Sequence, residues 1–184
     1  MSIKPIPTQY GGVLFRSRLE ARWAVFFDSC GWDWAYEQEG YNIDGVNYLP
    51  DFRLYNIDVA RHCLDKEDAA KPPFFIEVKG VMDDASRTKI DALASYYPVY
   101  VVKDIPCAKN KCLYDFFNHI DFACDFDDDY RYFNYSTVDG DVYPCGLFAD
   151  KMGRPVLRGP DYRDDIDWDF TQRAYVKAQT FKFN

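Results

Sequence analysis

Leu19, Trp23, Phe26 and Phe27 recur at i, i+4, i+7 and i+8, and no other feature constrains the fold of this chain as strongly. Such a stripe predicts a helix, over Phe15–Cys30, with one apolar face that needs a sheet or second helix to cover it. Ser17 is placed to cap it, Glu20 stands three residues on as the partner in a capping box, and Gly31 supplies the stop. Residues 1–12 read as an irregular lead-in, broken by Pro5, Pro7, Gly11 and Gly12.

The cover comes from strand-like segments downstream. Trp34–Tyr41 and Asn47–Tyr55 flank Asp44-Gly45, a hairpin turn signal. Asn56–Lys71 is a polar excursion, Pro73–Gly80 (PFFIEVKG) is a short apolar strand, and Tyr97–Lys103 is a buried strand. Asp83–Ser95 between them reads as a helix capped by Asp83 or Asp84. The order helix, three strands, helix, strand predicts a mixed α/β (α+β) core: a mixed central sheet flanked by helices.

After residue 106 the character changes. Cys112–Phe122 reads as a helix, Asp125–Asp129 is an acidic run, and Tyr130–Leu157 has the Tyr, Gly and Asp turns of short hairpins. Asp167–Phe181 closes the chain as a helix with Phe170, Ala174, Tyr175, Ala178 and Phe181 near one face. The expected division is a core over residues 1–106 and an acidic, hairpin-rich extension over 107–184, whose last helix packs on the core.

Charge follows that division. The net charge is −8, which excludes a generally basic nucleic-acid binder. Residues 115–169 hold 14 acidic and 5 basic residues, whereas the remainder holds 16 and 17. The core is therefore near neutral, and the acidic stretch is expected to lie off any polyanion path and to be free to meet a protein. No stretch of 18 apolar residues suggests a membrane span, and Met1–Tyr10 lacks an apolar signal core. A cytoplasmic location is expected. Six cysteines without regular spacing read as free thiols. Cys107, Cys112, His119, Cys124 and Cys145 lack the tight pairs of a zinc site, so structural Zn²⁺ is not expected.

Chemistry concentrates at two strand ends. Pro50-Asp51 lies in one strand and Glu77-Val78-Lys79 ends the next, with Glu77 and Lys79 on one face by alternation. If the strands pair, Asp51 and Glu77 converge. Two carboxylates there suit a hard divalent cation such as Mg²⁺, which keeps several of its waters. Such an ion acidifies a bound water and neutralises charge building on a phosphate, and Lys79 adds a second positive group. The bland alternative is a strand-end ion pair. Arg16, Arg18 and Arg22, and Arg87 and Lys89 on the following helix, read either as solvated helix faces or as phosphate contacts. Gln9 and Tyr10 belong to the edge of this region or to packing on the first helix.

The stretches YGGVLFRSRLEARWAVFFDSCGWDWAYEQEG, NYLPDFRL and FFIEVKG, with AYVKAQTFKF near the C-terminus, resemble the PD-(D/E)XK nuclease superfamily, in particular its small phage-encoded members. The resemblance covers most of residues 8–103 and a short piece at 174–183. It implies a restriction-endonuclease-like core and a Mg²⁺-dependent deoxyribonuclease, an endonuclease of phage origin, with Mn²⁺ able to substitute. By the same resemblance Asp51, Glu77 and the Val78 carbonyl hold the metal, Glu20 supports it from the helix, and Lys79 is the catalytic lysine. DNA is the implied partner, and action as a homodimer is common among such nucleases. The competing expectation is a nuclease fold serving as a binding module, which engages a host defence protein or mimics nucleic acid through its acidic stretch.

Overall fold

The computed structural model describes residues 4–59, 73–97, 99–102, 105, 146–158 and 164–183. The predicted helix at 112–122, the acidic run at 125–129, both histidines and every cysteine except Cys30 lie outside the described residues. Cys30 is a buried free thiol.

Strands β1 (Thr8–Tyr10) and β2 (Val13–Phe15) form an antiparallel hairpin, with Thr8 opposite Phe15. Helix α1 (Arg18–Cys30) therefore begins three residues later than its apolar pattern suggests. Phe15 is fully buried, but from a strand, because a local pattern cannot register the pairing with Thr8. The caps are as expected: the Ser17 side chain accepts from the Glu20 N–H, and Gly31 closes the helix at φ 69°, a conformation that favours glycine.

The next two predicted strands are each broken. The first gives β3 (Trp34–Tyr36) and β4 (Tyr41–Ile43), the second β5 (Val46–Tyr48) and β6 (Phe52–Leu54). Asp44 (φ 50°) and Gly45 (φ 85°) turn β4 into β5, the positive-φ pair that a two-residue hairpin requires. The short β7 (Asp58–Val59) follows. Strand β8 (Phe74–Val78) is buried at every position, as its apolar run predicts. Helix α2 (Asp84–Ala94) is capped by Asp83, and β9 (Val99–Val102) returns parallel to β8.

The central sheet has the order β3-β6-β8-β9, antiparallel except for β8–β9. The β8–α2–β9 connection is what makes it mixed. Alternation divides its two faces. Phe52, Leu54, Phe74, Ile76, Val78, Tyr100 and Val102 pack with α1. Phe75, Val99 and Val101 pack with Ile90 and Leu93 of α2 and with Ile43 of the β4–β5 hairpin.

Residues 146–158 and 164–183 complete the first of these layers instead of hanging off it. Strands β10 (Gly146–Ala149) and β11 (Pro155–Arg158) pair as a hairpin, and β7 adds to β11 in parallel. Helix α3 (Trp168–Thr180) lies against α1, where the Tyr175 and Phe26 rings stack at 4.0 Å. Leu147, Phe148, Val156, Leu157, Ile166, Ala174 and Tyr175 share one continuous core with α1 and the sheet. Two acids of the charged stretch have structural work here. Asp150 accepts from the Met152 and Arg154 backbone N–H groups in the β10–β11 turn, and Asp167 caps α3. The protein is a mixed α+β fold, and no described helix is long and apolar enough to cross a membrane.

Candidate active site

The β6–β8 register places Phe52 opposite Ile76, so Asp51 and Glu77 are the next cross-strand neighbours. Here the ladder gives way to side chains. The Asp51 N–H donates to Glu77 Oε1 at 3.0 Å, and the Val78 N–H donates to Asp51 Oδ2 at 2.8 Å. Each carboxylate is thus fixed by the other strand's backbone. Both are buried, Glu77 at 0% exposure and Asp51 at 2%. They lie on the α2 side of the sheet, with Phe75 and away from Ile76.

Buried carboxylates need positive partners. Lys79 Nζ lies 2.9 Å from Glu77 Oε2 and 3.7 Å from Asp51 Oδ2. One Arg16 nitrogen (Nη2) lies 2.6 Å from Asp51 Oδ1, and its Nε lies 2.6 Å from Glu37 Oε1. Glu37 also donates its backbone N–H to the Asp51 carbonyl, from a positive-φ position (φ 43°). Burial first, and Asp51 second, push Glu77 up to about 7, with Lys79 pulling the other way. Burial disfavours charge on Lys79, but Glu77 and Asp51 outweigh it and raise its pKa. As an ammonium, Lys79 can stabilise negative charge that builds beside it. The Tyr48 hydroxyl is buried near Glu77, and burial followed by that carboxylate drives its pKa upward.

The site opens into a cleft of about 800 Å³ between the β4–β5 hairpin and α2. Arg16, Lys79 and Lys89 line it, with Tyr41, Asn42, Asn47 and Tyr48 on the hairpin side. Arg18 is exposed on α1, and Arg87 is half-buried on α2; neither lines this cleft.

Glu20 takes its place in the capping box, and Arg22 makes contacts that its sequence position does not suggest. Glu20 is buried, but its carboxylate serves the start of α1: it accepts from the Ser17 hydroxyl (2.7 Å), the Arg16 N–H (3.1 Å) and the Tyr36 hydroxyl (2.5 Å). It reaches Asp51 only through Arg16. Among the described residues no three His, Cys, Asp or Glu side chains gather as a metal-binding group. No family model matches the chain, and neither a curated protein nor a solved structure is significantly similar to it. Arg22 turns away from the cleft. Its Nη1 donates to the Ala178 carbonyl (2.6 Å) and to that of Gln179, and the guanidinium lies over the Phe183 ring. It satisfies carbonyls that the end of α3 would leave bare. Arg22→Met is expected to lower stability by about 1–3 kcal/mol, the cost of stranding such acceptors. Nucleic-acid affinity should be unchanged, as denaturant melts and binding titrations of the variant would show.

Tyr10 packs its edge on Phe181 and Phe183 of the C-terminal tail, while Gln9 is exposed on β1. Glu37, Tyr36 and Tyr48 escape sequence reasoning. Glu37 is one acid in YEQEG, and only the chain reversal after β3 brings it to Arg16.

Proposed function

We propose that this protein is a Mg²⁺-dependent phosphodiesterase that cuts DNA, built on a restriction-endonuclease-like core and resembling the PD-(D/E)XK nucleases. The observation that carries the reading is the cross-strand convergence of buried Asp51 and Glu77, with Lys79 against both. Two desolvated carboxylates side by side cost stability, and a chain that only bound a partner would gain nothing from them.

The donor set fits a hard cation. Asp51 and Glu77 offer oxygen ligands, and Mg²⁺ needs only one or two carboxylates beside its waters. Asp51, Glu77 and the Val78 carbonyl would hold it. When bound it supplies charge neutralisation and an acidified water; Mn²⁺ suits the same oxygens.

The chain's own groups do the rest. The backbone N–H bonds at 2.8 and 3.0 Å hold both carboxylates in place before substrate arrives. The Lys79 ammonium faces the charge that builds on the phosphoryl oxygens as water adds in line to phosphorus and the bond to the 3′-oxygen breaks. Arg16 is 57% exposed at its side chain, so it can exchange its grip on Asp51 for one on a phosphate. Glu20 is a positioning residue, which fixes the Arg16 backbone and the Tyr36 hydroxyl.

Mg²⁺ at about ten times its Kd is expected to stabilise the protein by about 1.4 kcal/mol. For a chain of this size that is a rise in Tm of about 3–6 °C. The rise should appear in thermal melts of wild type and vanish with EDTA. Cleavage of plasmid or oligonucleotide DNA should require the same ion. A protein that shows no Mg²⁺ or Mn²⁺ shift, and cuts no nucleic acid, is not this enzyme.

A further inference from the structure

The cleft in front of the site has properties that a metal centre alone does not require. Asp51 and Glu77 are at 2% and 0% exposure, so a scissile phosphate has to be lowered to them. A volume of about 800 Å³ lies in the range that encloses a small organic ligand, about 300–1,000 Å³. That admits a short stretch of one strand. The lining also has the chemistry of a strand. Arg16, Lys79 and Lys89 contribute positive charge, and no acidic side chain joins them among the lining residues. Arg16 and Lys79 share their charge with Asp51, Glu37 and Glu77, so Lys89 is what adds positive charge at the mouth of the cleft for a polyanion to meet. On the hairpin side stand Tyr41, whose ring packs on Phe75 and Tyr97, and a cross-strand pair, Asn42 Nδ2 donating to Asn47 Oδ1 at 2.6 Å. That bond leaves the Asn42 carbonyl and one or more Asn47 N–H groups to meet base edges.

We propose that the cleft is a channel for single-stranded DNA, in which Arg16 and Lys89 take phosphates and the β4–β5 hairpin takes the bases. This rests on the phosphodiesterase reading and names its substrate class: an unpaired strand, a frayed end or a flap. Cations that track the backbone are one half of the general means of binding a single strand; here exposed amides stand beside them.

The test compares a short labelled single-stranded oligonucleotide with the blunt duplex of the same sequence, by fluorescence anisotropy without metal and by cleavage with Mg²⁺. The single strand is expected to bind about tenfold tighter than the duplex and to be cut in preference. Lys89 and Asn47 are exposed, so Lys89→Glu and Asn47→Ala should fold, with unchanged melts as the control. Lys89→Glu should weaken strand binding about tenfold and reduce the salt slope by about 0.7, the contribution of one phosphate contact on a single strand. Asn47→Ala should weaken it about threefold with the slope unchanged, since no phosphate contact is lost. Duplex bound and cut as well as the single strand would overturn the channel while leaving the nuclease intact, as would a Lys89→Glu variant of undiminished affinity and slope. A strand that binds with the expected Lys89 dependence, but is never cut and comes with no Mg²⁺ stabilisation, would overturn the nuclease and leave the channel standing.

Discussion

Asp51→Asn should lower Mg²⁺-dependent turnover about a thousandfold, a loss of ~4 kcal/mol in transition-state stabilisation. The substitution is nearly isosteric. The carbonyl oxygen of the introduced amide would still accept from the Val78 N–H, which now donates to Asp51 Oδ2 at 2.8 Å, so the strand end should keep its shape. What is lost is one of two charges that hold a cation, and with it the rise in Tm on adding Mg²⁺. Lys79→Met should separate binding from chemistry. It removes a positive charge 2.9 Å from Glu77 without touching a ligand oxygen, so Mg²⁺ should bind at least as tightly while turnover falls about a hundredfold or more. Melts with and without Mg²⁺, set beside single-turnover rates, check both. Full turnover in either variant would remove Asp51, Glu77 and Lys79 from the chemistry.

How far such a site is legible in sequence depends on which contacts are local. Alternation within one strand puts Glu77 and Lys79 on one face, and a hydrophobic run that ends in charge marks the end of β8. Pro50 marks the other strand end, since a proline cannot donate to a ladder. Yet the predicted strand Asn47–Tyr55 runs through Pro50, and Asp51 and Glu77 stand out only through the order in which YLPDF and IEVKG follow the first helix. Ser17 and Gly31 delimit α1 for the same local reasons. Long-range partners decide the rest. Arg18 and Arg22, at i and i+4, look like one solvated stripe, but Arg22 is claimed by carbonyls at 178 and 179. Glu20 fits two roles equally well by sequence, a cap or a ligand, and the hydroxyl of Tyr36, 16 residues on, weighs toward the first. Glu37 carries no local signal, because its place depends on a backbone bond to Asp51 across a chain reversal.

Tyr175→Ala should be the most damaging substitution for folding, at about 3–5 kcal/mol, and it bears on the role of the C-terminal segment. An acidic appendage could lose a helix residue with little effect on the rest of the molecule. Tyr175 does not stand in that position. Its ring stacks on Phe26 at 4.0 Å and meets the Trp23 edge at 6.1 Å, both on α1, and its hydroxyl donates to the Leu147 carbonyl at 2.8 Å. One side chain thus joins α1, α3 and β10 inside a single core. Truncation leaves a cavity under two aromatic rings, which for a buried aromatic costs about 3–5 kcal/mol. It also strands a carbonyl acceptor, and about 1 kcal/mol of that loss is the share of the hydrogen bond. Tyr175→Phe separates the terms, since it keeps the ring and should cost only about 1 kcal/mol. The sign of the functional effect follows from the topology. Helix α1 backs the face of the sheet opposite Asp51 and Glu77, and its first turn sets the Arg16 backbone through Glu20. Loosening α3 from α1 should therefore reach the site only through global stability. At a temperature where Tyr175→Ala is still folded, turnover should be near wild type, while its denaturation midpoint is far lower. Loss of turnover in a variant whose melt is unchanged would instead mean that α3 takes part in the site itself.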